Sequence, residues 1–396
     1  MRESHGAPAT AAARQLVLLS VAAFASMTSM RICDPLLPAL ARDFSTTTGR
    51  AAQAISAFAI AYGLLQLVYG PLADRYGKFH VASLAALGCA LANAAAAFAP
   101  SLDWLIVFRA LTGATAAAII PLTMAWIGDA VPYERRQEAL ARLLGATVVG
   151  MITGQWAGGF LADTLGWRSV FVALAVLFAA TGVAMRFAVR RRPTDAAATV
   201  DAPVETYVAR VQAVLRERWA RTILALAFIE GGFAYSAFAF VPAYLHQRFD
   251  LAMTWAGGVL ALYGVGGFAY SRLARSMLHR WGEAGLVRRG GALLGVTLAT
   301  LALGPHWVFA LPACLVGGFG FYMLHNTLQT HATQMAPRVR GTAVSLFACS
   351  LFLGQSCGIV AAAWVVDHAS ANAVFAGTAV ALPLLAASFA RRVARK

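Results

Sequence analysis

Apolar residues run along this chain in blocks of about 20, separated by short clusters of Arg, Lys, Asp, Gly and Pro. A block of that length crosses the roughly 30 Å hydrocarbon core of a bilayer as α-helix. The pattern predicts twelve spans, near residues 15–40, 51–73, 79–99, 102–127, 138–162, 167–187, 219–245, 253–274, 286–303, 307–332, 341–365 and 371–390. No water reaches the bilayer core to satisfy backbone groups, so each span is expected to be one continuous helix. The short alternating segments of a membrane barrel do not occur in the pattern. The expected fold class is an all-α membrane protein of twelve transmembrane helices.

Composition agrees with the pattern: 60% of the residues are hydrophobic and 12% charged. The longest polar interruption divides the chain into a six-helix half over 1–187, a linker over 188–218 and a second six-helix half over 219–396. Within the linker, Val204, Val208, Val211 and Leu215 recur at helical spacing opposite Arg210, Glu217 and Arg218, which predicts a helix lying on the membrane surface.

Charge sets the orientation, because short loops rich in Lys and Arg stay in the cytoplasm. With both termini inside, 26 of the 32 basic residues fall in inner segments, and only Arg42, Arg50, Arg168 and Arg248 in outer ones. Both termini are therefore expected in the cytoplasm, with the protein in a bacterial inner membrane. A net charge of +15 spread over seven inner segments, without zinc-finger spacing or an aromatic-basic platform, fits anionic lipid and not nucleic acid. The N-terminus, with Glu3 and no small-residue cleavage site, does not read as a removable signal. Cys33, Cys89, Cys314, Cys349 and Cys357 are odd in number, lie inside spans and lack Cys-x-x-Cys spacing, so they read as packing residues.

Between the second and third spans lies a charged turn, Gly70-Pro71-Leu72-Ala73-Asp74-Arg75-Tyr76-Gly77-Lys78. Gly70 and Gly77 are suited to a sharp reversal, and Asp74 is a carboxylate available to the positive end of a helix. The fourth span runs from Arg109 through Gly113 and Pro121 to Asp129, followed by the basic loop of Arg135 and Arg136. The fifth carries Gly150, Gly154, Gly158 and Gly159, spaced for close helix packing. The first closes on Asp34-Pro35-Leu36-Leu37-Pro38.

These stretches together resemble the major facilitator superfamily, and within it the twelve-span drug:proton antiporters. The chain departs from the antiporter signature in the fifth span, where Gln155 stands in place of Pro, and the basic hairpin around Arg272 and Arg275 lacks the Asp of its counterpart. The resemblance implies a solute carrier in which Asp74 meets the start of helix 11 near Gly341-Thr342 and Arg75 pairs with Asp129. Those residues, with Gly70, Gly77 and Arg135, would form a conformational latch, made when the site opens outward and broken when it opens inward. Internal duplication is expected of such carriers, and Gly154-Gln155-Trp156-Ala157-Gly158 is echoed by Gly354-Gln355-Ser356-Cys357-Gly358, 200 residues on.

Four charged residues fall well inside spans, away from their ends, where each costs at least a few kcal/mol and so marks function: Arg31, Asp34, Arg109 and Glu230. Asp34 and Arg109 sit at matching depths, and Arg31 shares the face of Asp34, so an Asp bracketed by two Arg is expected to stay ionised. Glu230 lies near the midplane with no basic residue nearby on its own helix, and Gly231-Gly232 after it permits close approach. These four are the expected proton-coupling residues. Tyr62, Gln66, Asn93, Tyr235, His325, Asn326 and Gln329 are the candidates for a substrate cavity.

The chain lacks a Walker A loop, a His-Glu-x-x-His helix and a Gly-x-Ser-x-Gly elbow, which argues against ATP-driven transport and against an enzyme. The expected activity is proton-coupled efflux of a small amphipathic drug or metabolite by alternating access. An importer of a small organic solute, a siderophore exporter and, more distantly, a non-transporting sensor share the same sequence features. No cofactor or metal is expected beyond the proton gradient. The expected partners are a small-molecule substrate, protons and membrane lipid, and the working unit a monomer.

Overall fold

The computed structural model describes residues 6–189 and 207–394. The tract with Arg190, Arg191, Arg192, Pro203 and Val204, and the terminal Arg2, Arg395 and Lys396, lie outside the described residues. The first part of the chain forms α1 (Gly6–Arg31), α2 (Leu37–Asp43), α3 (Thr48–Ala51), α4 (Gln53–Tyr76), α5 (Lys78–Ala97), α6 (Leu102–Ala116), α7 (Ile119–Ala130), α8 (Tyr133–Leu165) and α9 (Trp167–Val189). After α10 (Tyr207–Arg216) come α11 (Arg218–Glu230), α12 (Ser236–Phe249), α13 (Met253–Leu303), α14 (Ala310–Gln334), α15 (Arg340–His368) and α16 (Ala371–Val393).

Ten helical stretches among the described residues are long and apolar enough to cross a membrane. One of them, α13, is 51 residues long. Drawn straight it would reach about 77 Å, at 1.5 Å per residue. It bends instead at Gly282, whose φ of +63° only glycine adopts readily. Its two arms then both lie on α14: Gly318 packs on the Tyr263 carbonyl of the first arm, and Gly320 on the Gly290 carbonyl of the second. α8, 33 residues long and rich in glycine and polar side chains, is not among the ten. Two arms in α13 and a crossing by α8 are compatible with twelve transmembrane segments.

The expectation of continuous helices needs correction at three places. α1 stops at Arg31 and passes through a 3₁₀ turn, Asp34–Leu36, before α2. The fourth span breaks between Ala116 and Ile119, and the seventh carries a π-helical turn at Gly231–Tyr235. Proline explains the first two. Its ring clashes with the carbonyl four residues back, which is Arg31 for Pro35 and Ala117 for Pro121. The turn expected around Arg272 and Arg275 lies at Gly282, and both arginines remain within α13.

The sequence echo has a structural counterpart. On α8, a Cβ at Gly150, Gly154 or Gly158 would strike the carbonyl of Phe24, Thr28 or Ile32 at 2.4, 2.5 or 2.6 Å. On α15, Gly354 and Gly358 meet the carbonyls of Phe228 and Gly232 in the same way, and Ser350 Oγ donates to the carbonyl of Leu224 at 2.8 Å. Each contact on α1 therefore recurs 200 residues later on both partners. The fourth packing glycine, Gly159, turns to the other side of α8 and lies against the Met253 carbonyl of α13.

α10 forms in the linker, but its buried side chain is Val214, not one of the expected stripe; Val208 and Leu215 are exposed.

Candidate functional site

A cavity of about 660 Å³ lies between the first and second parts of the chain. α1, α4 and α7 line one wall, and α14, α15 and the π-turn at Gly231–Tyr235 the other. Arg340 and Gly341, next to the turn Pro337–Val339, stand at its mouth. Successive antiparallel crossings put that turn on the same face as the turns at Gly77, Pro132 and Gly282.

The opposite face is tied shut. The Asp163 carboxylate at the end of α8 accepts from Thr254 N–H and hydroxyl at the start of α13 (2.7 and 2.6 Å). The Asp367 carboxylate at the end of α15 accepts from the Thr47 hydroxyl (2.6 Å) and the Gly49 N–H (2.9 Å) before α4. Gln247 Nε2 donates to Thr48 Oγ1 at 2.8 Å. Deeper in, the hydroxyls of Ser56 and Ser356 lie 2.7 Å apart.

Glu230, at the last residue of α11, is fully buried, and its Oε2 lies 2.9 Å from His325 Nδ1 on α14. Its Oε1 has no hydrogen-bond partner among the described residues. His325 stacks on Phe321 (ring centroids 5.0 Å apart) and reaches the cavity wall. The pair was not legible in the sequence, which placed the two residues 95 positions apart and read Glu230 as lacking a basic neighbour. The available signal was that each is a titratable residue at the middle of an apolar span.

The second buried charge cluster differs from the expected bracket. Arg31 Nη1 is 3.8 Å from Asp34 Oδ2, beyond hydrogen-bond length, and neither oxygen of Asp34 has a hydrogen-bond donor among the described residues. Arg109 does not bond Asp34. It donates to the Ser29 carbonyl at 3.0 Å and lies over the Phe58 ring, 4.4 Å from its centroid. Arg31 reaches across to the second part of the chain and stacks over the Tyr235 ring at 4.5 Å.

Of the expected cavity residues, Tyr62, Gln66, Tyr235, His325 and Gln329 line the cavity. Asn93 does not: it is buried, with Nδ2 donating to the Cys89 carbonyl at 2.8 Å. Asn326, one residue from His325, is not part of the lining. Missed by sequence reasoning were Met27, Met30, Phe347 and Phe352, because an apolar residue on a cavity wall is indistinguishable in sequence from one in a core.

The latch residues are apart in this structure. Asp74 is exposed and has no partner among the described residues, and the space beside Gly341 is open. Asp129 is paired with Lys78, not with Arg75, which lies over its neighbour Tyr76. Arg135 sits 4.0 Å from Glu138. Gly77, with φ +87°, makes the reversal, whereas Gly70 is inside α4.

Comparison with known proteins places this architecture. Residues 19–352 match the family profile described as Major Facilitator Superfamily, and the chain belongs to that family. A chloramphenicol resistance protein of Streptomyces lividans is 28% identical over 363 residues, covering 90% of each chain. Among solved structures, a mutant of the nucleoside transporter NupG superposes with a TM-score of 0.80 at 14% identity, over 95% of this chain and 98% of that one. An inward-facing, unoccupied bacterial homolog of the human lysosomal transporter Spinster gives 0.74 at 17% identity, over 99% and 98%. At these identities the structural likeness establishes the fold.

Proposed function

We propose that this membrane transporter exports a small amphipathic molecule in exchange for protons, with Glu230 carrying the proton and His325 connecting it to the cavity. The observation that carries the reading is the 2.9 Å contact between a fully buried carboxylate and an imidazole on the cavity wall. Imidazole gains and loses protons under physiological conditions and can relay one between the cavity and a carboxylate that solvent does not reach. A buried carboxylate also makes its protonation state matter to conformation, because an unpaired charge in the low-dielectric interior is costly. Protonated, Glu230 is a neutral hydrogen-bonding group; ionised, it requires the protonated ring of His325 beside it.

With both termini in the cytoplasm, the cavity opens inward and can collect cargo from the cell. The second state follows by breaking the Asp163 and Asp367 ties and bringing Asp74 onto the N-terminus of α15 at Gly341, where a carboxylate satisfies free N–H groups and the helix dipole. Arg31, Asp34 and Arg109 belong to the same scheme as charges that rearrange with the two parts of the chain, since Arg31 already contacts Tyr235 across the divide. The name of the Streptomyces relative makes chloramphenicol the first cargo to test. Purified protein in proteoliposomes should move it against its gradient only when a proton gradient is imposed. Transport that ignores the proton gradient would sink the coupling.

A further inference from the structure

The cavity's charge and ring surfaces specify a class of cargo, a conclusion that rests on the transport reading above. Among the described residues lining the cavity there is no Asp or Glu. Glu230 lies behind His325 and is fully buried, so it offers no open carboxylate to a cation. The positive groups are in excess. Arg340 stands at the mouth, exposed, without a hydrogen bond or ion pair among the described residues. Behind the opposite wall, Arg31 and Arg109 are 4% and 0% exposed and have between them the single carboxylate of Asp34. Two guanidinium groups against one carboxylate, inside a low-dielectric shell, leave a positive potential that reaches farther than it would in water.

Aromatic rings usually offset such a field by offering their faces to cations. Here two of them are already used. Arg31 covers the face of Tyr235, and Arg109 covers Phe58, whose ring stacks in turn on Tyr62. What remains for cargo is the edge-packed pair Tyr62–Phe352 (4.8 Å) and the ring of Phe347 beside His325 (5.8 Å). These surfaces suit a flat aromatic molecule, and His325 and Arg340 suit oxygen acceptors on it.

The geometry points to an aromatic cargo that carries an acceptor-oxygen group, such as nitro or carboxylate, and no positive charge; lipophilic cations are excluded by the field of the arginines. Equilibrium binding to the purified full chain in detergent, without any gradient, tests this with three probes: chloramphenicol, nalidixate and tetraphenylphosphonium. Chloramphenicol and nalidixate should each bind at least tenfold more tightly than tetraphenylphosphonium. Arg340→Gln should weaken nalidixate, which carries a carboxylate, about tenfold and uncharged chloramphenicol by less. Equal or tighter binding of tetraphenylphosphonium overturns the inference, as does an unchanged nalidixate affinity in Arg340→Gln or failure of all three to bind. Selective binding without proton-driven flux would reject the coupling scheme and keep this inference. Proton-driven flux of tetraphenylphosphonium would do the reverse.

Discussion

Asp163 at the end of α8 accepts two hydrogen bonds from Thr254, one from its backbone N–H and one from its hydroxyl, at the first turn of α13. Asp367 at the end of α15 does the same for the turn entering α4 through Thr47 and Gly49. Two carboxylates, each at the C-terminal end of a glycine-packed helix, thus cap helix starts in the other part of the chain. Both ties lie on the face opposite the cavity mouth. A charge-assisted hydrogen bond is worth about 1.5–3 kcal/mol, enough to bias a two-state carrier strongly.

Removing the ties should therefore favour the other state. In the double variant Asp163→Ala with Asp367→Ala, spin labels at Pro100 and His306, in loops of the tied face, should gain a longer-distance population. Unchanged distances would mean that the ties follow closure and do not hold it.

The opposite shift is expected at the cavity mouth. Asp74 is without a partner among the described residues in the present state, so Asp74→Asn costs nothing there and, in the proposed alternate state, takes the negative charge away from the positive end of α15. The variant should populate the present state more and turn over more slowly, with normal membrane insertion. Wild-type turnover together with wild-type distances would reduce the hairpin to a membrane anchor.

Glu230→Gln removes the proposed proton site and keeps a hydrogen-bonding group of similar shape beside His325. It should abolish proton-driven accumulation in proteoliposomes and permit downhill exchange, because a permanently neutral site still cycles with cargo. His325→Ala should slow proton-driven transport more than exchange, since the carboxylate survives and its connection to the cavity is lost. Accumulation by Glu230→Gln with the wild-type response to the proton gradient would move the coupling to Asp34.

Helix packing gives a prediction that involves no charge. A Cβ at Gly354 would sit 1.9 Å from the Phe228 carbonyl, whereas one at Gly145 or Gly377 meets nothing within 4 Å. Gly354→Ala should cost about 1–3 kcal/mol, typical of an overpacked contact that forces backbone to move. Gly145→Ala and Gly377→Ala should be neutral or slightly stabilising, as alanine is the better helix former. Thermal unfolding in one detergent compares all three; equal Tm values would show that α11 and α15 can separate without penalty.

Much of this protein was legible without coordinates, and the reason is the solvent. A bilayer demands helices of fixed length and tolerates few charges, so apolar run length marked the ten stretches able to cross, and Arg31, Asp34, Arg109 and Glu230 stood out as costly exceptions. The 200-residue echo of Gly154-Gln155 in Gly354-Gln355 was readable for a similar reason, because close helix approach leaves only glycine as an option. Pairing between helices was not readable. That Glu230 meets His325, that Arg109 bonds Ser29 in place of Asp34, and that Lys78 in place of Arg75 holds Asp129 depend on how the helices rotate and where they break. Those choices are made by packing across the whole bundle. The breaks at Arg31 and Ala117 had a local cause in Pro35 and Pro121, yet only the folded chain decided that helices would resume after them and leave a cavity between the two parts.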